Sequence, residues 1–154
     1  MTAAGERWSP WGAVGQLDHV EVIRAILPDQ VGGVCARLGD RVVIVLDQRL
    51  SQAERRVTLA HELVHLERDS IDCCFWAQAD GAWTGLQVRE EMAVNREVAR
   101  RLVPGLRLGR LVKKEVGLGH QVTAPLVAER FNVTEAVARL ALEEYVVRSN
   151  RRVA

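Results

Sequence analysis

The chain has 154 residues, a formal net charge of +1, and a composition that is 48% hydrophobic and 27% charged. That length suits one ordinary domain able to bury a core and argues against a second full one. The balance excludes a disordered or membrane class, and no apolar run approaches the roughly 18 residues that a spanning helix needs.

Residues Met1 to Gln16 mix Gly, Ala, Ser, Pro and two tryptophans without periodicity and read as an irregular lead-in. They lack the charged-then-apolar order of a signal peptide, so a cytoplasmic location is expected. From Leu17 to Leu27 the apolar Val20, Ile23, Ile26 and Leu27 recur at helical spacing and Pro28 closes the run, which predicts a short amphipathic helix. Val34, Ala36 and Leu38 then alternate with other residues, Gly39-Asp40 offers turn chemistry, and Arg41 to Leu46 is rich in β-branched residues. These features predict a β-hairpin. Because Val42 to Leu46 is apolar throughout, the second strand is expected to be covered on both faces and to lie beside the main helix.

That helix is predicted from Ser51, a good N-cap, with Glu54 placed to complete a capping box, to about Arg68. Ala53, Val57, Ala60 and Val64 form one apolar stripe and Leu59, Leu63 and Leu66 widen it, as befits the central helix of a core. Asp69 to Trp83 has no clear period and reads as a connection. It holds Cys73 and Cys74. With Cys35 they make an odd set with two adjacent members, a poor disulfide framework, so free thiols in a reducing compartment are expected. A further helix spans about Gly85 to Val103, ended by Pro104-Gly105.

The central helix contains His61-Glu62-Leu63-Val64-His65, the pattern H-E-x-x-H. At about 3.6 residues per turn both imidazoles project from one face and can reach a single zinc ion. Glu62 lies roughly 100° round the helix, where its carboxylate can face a zinc-bound water without itself ligating, take its proton and pass it to a departing amine. Two core histidines satisfied by other partners are the plainer alternative. Histidine is scarce, however, with two of the four in this pattern, and burying both beside Glu62 leaves polar groups that a shared ion would satisfy.

A catalytic zinc needs a third protein ligand. A metzincin-like continuation is excluded, since Arg68 and Ile71 stand where glycine and histidine are required. On the next helix Val88, Met92, Asn95, Ala99 and Leu102 fall in a narrow arc that is expected to face the core. Glu91 lies at the margin of that arc, while Glu90 and Glu97 point away. Glu91 is therefore the expected third ligand. Asn95, one turn on, is either a hydrogen-bonding support for a ligand or an ordinary buried amide. Asp69, one turn beyond His65, could orient an imidazole, ligate, or terminate the helix. Cys73 and Cys74 could ligate as thiolates, which would give a closed structural site. His120, in a glycine-bearing loop, reads as a surface residue rather than a ligand or oxyanion donor.

Taken together, Thr58-Leu59-Ala60-His61-Glu62-Leu63-Val64-His65 after a strand, Arg89-Glu90-Glu91-Met92-Ala93-Val94-Asn95, and Ala99-Arg100-Arg101-Leu102-Val103-Pro104 resemble the ImmA/IrrE-type metallopeptidases of bacteria and their phages. The resemblance covers roughly Val42 to Val103, with weaker echoes to Tyr145. It implies a compact α+β fold, a zinc site completed by an acid placed like Glu91 with an Asp or Asn four residues later, and cleavage of helix-turn-helix repressors of phages or mobile elements. The sequence departs from the family's pattern at Glu97, where a large apolar residue is common, and from Ser70 to Trp83.

Ala124 to Tyr145 resembles a helix-turn-helix unit. Leu126, Val127 and Phe131 lie on one helix, Asn132-Val133 at the turn, and Thr134 caps a second helix with Val137, Leu140 and Leu142. From Pro104 onward nine Lys or Arg face five Asp or Glu, but the exposed positions expected on the second helix, Glu135, Arg139, Glu143 and Glu144, are mostly acidic. A packing or docking role is therefore favoured over DNA binding, and the tail Arg148, Arg151 and Arg152 reads as a solvated end.

The expected fold is α+β, a small β-hairpin or sheet packed on the central H-E-x-x-H helix. The expected divisions are a lead-in at 1–16, a zincin-like core at 17–105 and a helical segment at 106–154. The expected activity is zinc-dependent peptide hydrolysis with Zn²⁺ on His61, His65 and Glu91 and Glu62 as the catalytic residue. The expected partner is a protein substrate, a repressor, with no membrane role and with DNA contact through the C-terminal helices as the lesser expectation; the competing classes are a zinc-stabilised regulator that binds a repressor without cutting it, and a DNA-binding transcription factor.

Overall fold

In the computed structural model, which describes residues 8–69 and 85–151, the α+β expectation holds, as a small sheet and a set of helices. The order is α1 (Pro10–Val14), β1 (Val20–Ala25), β2 (Gly33–Leu38), β3 (Arg41–Asp47), α2 (Gln52–Glu67), α3 (Gly85–Leu102), α4 (Gly105–Gly117), α5 (Ala124–Phe131) and α6 (Glu135–Arg151).

Two expectations near the amino terminus are corrected. Residues 10–14 form a short helix, capped by the Ser9 side chain and begun by Pro10, where irregular chain was expected. The predicted helix from Leu17 to Leu27 is instead strand β1, which pairs in parallel with β3 from Val20↔Val42 to Ala25↔Asp47. Short apolar runs fit both periods. Here the strand wins because β3 has a second edge to satisfy and Val20, Val22 and Ile23 are β-branched. Ile23 and Ile26, which the helical reading would bury, are exposed.

The hairpin forms as expected, with β2 antiparallel to β3 and Leu38 opposite Arg41. Gly39, at the first central position of the two-residue turn, has φ 65°, a conformation that costs glycine little. The sheet order is β1-β3-β2, so β3 is central. Its coverage is one-sided: Val42, Ile44 and Leu46 are buried, whereas Val43 and Val45 on the opposite face are half-buried. The buried face meets Leu59, Leu63 and Leu66 of α2, with Val14 and Leu17 at its edge.

Helix α2 starts with the predicted capping box: Glu54 N–H donates to Ser51 Oγ (3.3 Å) and Ser51 N–H donates to Glu54 Oε2 (2.8 Å). Leu59 and Leu63 face the sheet, while Ala60 and Val64 join a second core built from Val94, Val98, Ala99 and Leu102 of α3 with Val127, Phe131, Ala138 and Ala141 of the last two helices. The carboxy-terminal pair is joined through Asn132 in the left-handed conformation (φ 52°), and Arg56 of α2 donates to the Phe131 and Asn132 carbonyls. Glu144, expected to be exposed, instead accepts from Arg100 of α3 at 3.1 and 3.2 Å, which turns that part of α6 into a packing surface.

Two features fix how α2 sits on the sheet. A Cβ at Gly33 would lie 2.5 Å from Thr58 Cγ2, so only glycine allows β2 and α2 this approach. Buried Asp47 accepts from Leu27 N–H (2.9 Å), Arg49 N–H (2.7 Å) and the Arg49 guanidinium (2.9 and 2.7 Å), which ties the chain after β1 to the approach to α2. These hydrogen bonds, those from Arg49 foremost, hold the Asp47 carboxyl well below its usual range.

Gly33→Ala is expected to destabilise the protein by about 1–3 kcal/mol, read by thermal or urea unfolding, because stiff Thr58 cannot yield without moving α2. Asp47→Asn is expected to destabilise at neutral pH. The sign follows from the depressed pKa: the carboxylate stabilises the fold above the unfolded value of about 4, and that contribution is lost as pH falls toward the lower folded value. The stability gap between wild type and Asp47→Asn should therefore close on acidification; a gap that is constant with pH would show that the charge is not what matters.

Candidate metal centre

The side of α2 that faces neither core carries His61, Glu62 and His65. Across from it, α3 presents Glu91. His65 Nε2 lies 2.9 Å from Glu91 Oε1, His61 Nε2 lies 3.3 Å from Glu91 Oε2, and the two Nε2 atoms are 3.0 Å apart. The rings meet edge to face, with centroids 4.6 Å apart. His65 is almost wholly buried (side chain 2% exposed), His61 and Glu91 less so (24% and 19%), so the group opens on the His61 side.

The helical wheel located Glu91 through a face that the structure rotates. Val88 and Met92, expected in the core, are 45% and 49% exposed, and Asn95 is exposed too. The buried residues are Val94, Val98, Ala99 and Leu102. At about 100° per residue, that places Glu91 near the middle of the inward face rather than at its margin. Val88 and Met92 are thus turned to the surface instead of filling a core.

Burial acts against charge on His61, but its hydrogen bond to Glu91 and the nearby charges of Glu62 and Glu91 outweigh it, with a smaller contribution from Asn95, and the imidazole is held above its ordinary pKa. The Glu62 carboxyl too is held above its ordinary pKa. Burial raises its pKa, and the neighbouring histidines only partly offset that.

The donor set suits a metal ion. Two imidazole nitrogens and a carboxylate oxygen lie mutually close enough to share one ion. The 3.0 Å between the two nitrogens, and the 2.9 and 3.3 Å from His65 to Glu91 Oε1 and from His61 to Glu91 Oε2, are of the order of the roughly 3.3 Å edge between ligands on a tetrahedral ion with bonds near 2.0–2.1 Å.

The other candidates stand apart from this trio. Asp69 follows the C-cap of α2 in a left-handed conformation (φ 53°), is 84% exposed and accepts from Arg37 of β2 at 2.8 Å, so it ends the helix and touches neither imidazole. His120 is exposed, with Nδ1 3.0 Å from buried Glu115, whose pKa it lowers. Cys73 and Cys74 lie outside the described residues. Sequence reasoning missed the arginine bridges between α2 and α3: Arg68 to Glu90 and Arg101 to Glu67. Their partners are remote in the chain, and no local spacing signals them.

An α+β fold whose central H-E-x-x-H helix meets a carboxylate from the next long helix defines a metallopeptidase-type domain. The family model for the IrrE N-terminal-like domain, a peptidase family, matches residues 22–143, and the chain belongs to that ImmA/IrrE-type metallopeptidase family. No curated protein matches it. Among the described residues, no helix is long and apolar enough to cross a membrane.

Glu91→Ala and His65→Ala are each expected to abolish stoichiometric uptake of a divalent ion, measured by elemental analysis after dialysis, while Asp69→Ala and His120→Ala leave it unchanged. Retention of a full equivalent by Glu91→Ala would remove Glu91 from the ligand set.

Proposed function

We propose that this protein is a zinc-dependent peptidase in which His61, His65 and Glu91 hold the ion and Glu62 is the general base and acid. The observation that carries this reading is the meeting of two imidazoles from one helix and a carboxylate from another, with a second carboxylate beside them. Two histidines and one glutamate form a donor set suited to catalytic zinc, in which a fourth position is kept open. Once bound there, zinc would polarise a peptide carbonyl and lower the pKa of a coordinated water.

The chain's own contribution is proton transfer and placement. Glu62 lies in a recess that raises its pKa, so its carboxylate is a better base than one in open water, and its protonated form can return the proton to the leaving amine nitrogen. Buried His65 closes one side of the centre and His61 is the more open one, and exposed Val88 and Met92, close in sequence to Glu91 on α3, offer apolar contact to a peptide.

The substrate we propose is a helix-turn-helix repressor of a phage or mobile element, cut in the cytoplasm so that repression is relieved. Sequence resemblance supports this choice, and the free, buried Cys35 suits a reducing compartment. The acidic Glu144 is engaged by α3 rather than offered outward, which favours a packing role for the carboxy-terminal helices over DNA binding.

Glu62→Gln should retain zinc and lose about 10²–10⁴-fold in cleavage rate, the usual contribution of a general acid–base. A candidate repressor is incubated with wild type, with Glu62→Gln and with chelator-treated protein, and the products are resolved by mass spectrometry. Cleavage only by the zinc-loaded wild type supports the proposal. Repressor that is bound but intact in every arm points to a non-proteolytic regulator.

A further inference from the structure

Helices α2 and α3 meet at the candidate centre, and two bidentate ion pairs join them around it. Arg68, the C-cap of α2 and three residues beyond His65, donates to both carboxylate oxygens of Glu90 at 2.6 and 2.8 Å. Arg101, near the end of α3, donates to both oxygens of Glu67 at 2.8 and 2.6 Å. Glu67 and Arg68 are neighbours on the last turn of α2. Glu90 and Arg101, in contrast, are separated by about 16 Å along α3, taking about 1.5 Å of rise per residue.

Adjacent residues of one helix thus hold the other at two distant points. The buried Val94, Val98, Ala99 and Leu102 hold α3 on the core, and two bridges far apart along the axis add a further limit on its pivot and roll. Glu90 lies about 100° round the helix from Glu91. The Arg68 bridge therefore acts on the roll of the very turn that carries Glu91. Arg101 is itself held in place, since Glu97 accepts from its Nε at 2.8 Å and its guanidinium lies 5.2 Å from the Trp8 ring centroid.

We propose that Arg68 and Arg101, through Glu90 and Glu67, are positioning residues for the metal centre, setting the roll and crossing of α3 on α2 so that the Glu91 carboxylate meets His61 and His65. This inference rests on the metal-centre reading above. Exposed ion pairs contribute little to global stability, but bidentate geometry makes these specific. Their effect falls on ligand placement, and losing groups that orient ligands lowers metal affinity about 10–100-fold.

The test is zinc affinity at neutral pH, measured by competition with a chromophoric chelator, beside thermal melting of the metal-free protein. Arg68→Ala, Glu90→Ala and Arg101→Ala are each expected to weaken binding about tenfold or more. The losses from Arg68→Ala and Glu90→Ala should not add in the double variant, and the charge exchange Arg68→Glu with Glu90→Arg should regain most of the affinity. If Arg68→Ala does not fold, Arg68→Lys, which keeps the charge but not the paired donors, gives the same reading.

Unchanged affinity in the Arg68 and Arg101 variants overturns the inference. So does a loss that only follows a lowered melting temperature and is not regained by the exchange. If the wild type binds no zinc, the metal-centre reading fails and takes this inference with it, whereas a wild type that binds zinc alongside indifferent variants overturns the positioning role alone.

Discussion

The contact on which the molecule depends is the approach of Glu91 to His65 within a nearly closed space, 2.9 Å apart with the second imidazole 3.0 Å from the first. Carboxylate oxygens and ring nitrogens crowded there out of water need a hydrogen or a positive charge between them. A proton can serve, and the raised pKa of His61 is the sign of that demand. A divalent ion serves better, because it satisfies all three donors at once. The donor set is thus one that a cation would suit, and the surrounding packing holds its members together.

That packing is a division of labour around one helix. Leu59 and Leu63 bind α2 to the sheet, Ala60 and Val64 bind it to the helical core, and the remaining side is left for His61, Glu62 and His65. Because both apolar faces are occupied, the helix cannot rotate to relieve the crowded imidazoles. Gly33 lets the sheet come close at Thr58, one turn before His61, and Asp47 with Arg49 anchors the chain leading into the helix. Rigidity at the site is therefore supplied from outside it.

What could be read from the sequence divides along the range of the interactions. The capping box at Ser51, the hairpin turn at Gly39-Asp40 and the histidine spacing are all set within a few residues, and the structure has each. Strand β1 was hidden because Val20, Ile23, Ile26 and Leu27 also satisfy a helical period, and only the free edge of β3 decides between them. The inward face of α3 was misjudged for a similar reason: Val88 and Met92 look like core residues until Val94 and Val98 are seen to take that place. Glu97, which departs from the family pattern, supports Arg101 one turn on, but the bridges from Arg101 to Glu67 and from Arg100 to Glu144 join distant parts of the chain. Pairings across tens of residues leave no periodic trace.

Cys35 shows how far the same environment reaches. Its thiol, buried in β2, is pushed up to about 12 by burial and then by the charge of Glu62, with Arg37 acting in the opposite sense. A thiolate is a soft metal ligand, and on the proposed reading one that reached the centre would close a site that a zinc-bound water needs open. A thiol kept protonated cannot do so, since the thiolate is the ligating form. The burial that raises the pKa of Glu62 thus also keeps the Cys35 thiol neutral, so one feature of the packing acts on both groups.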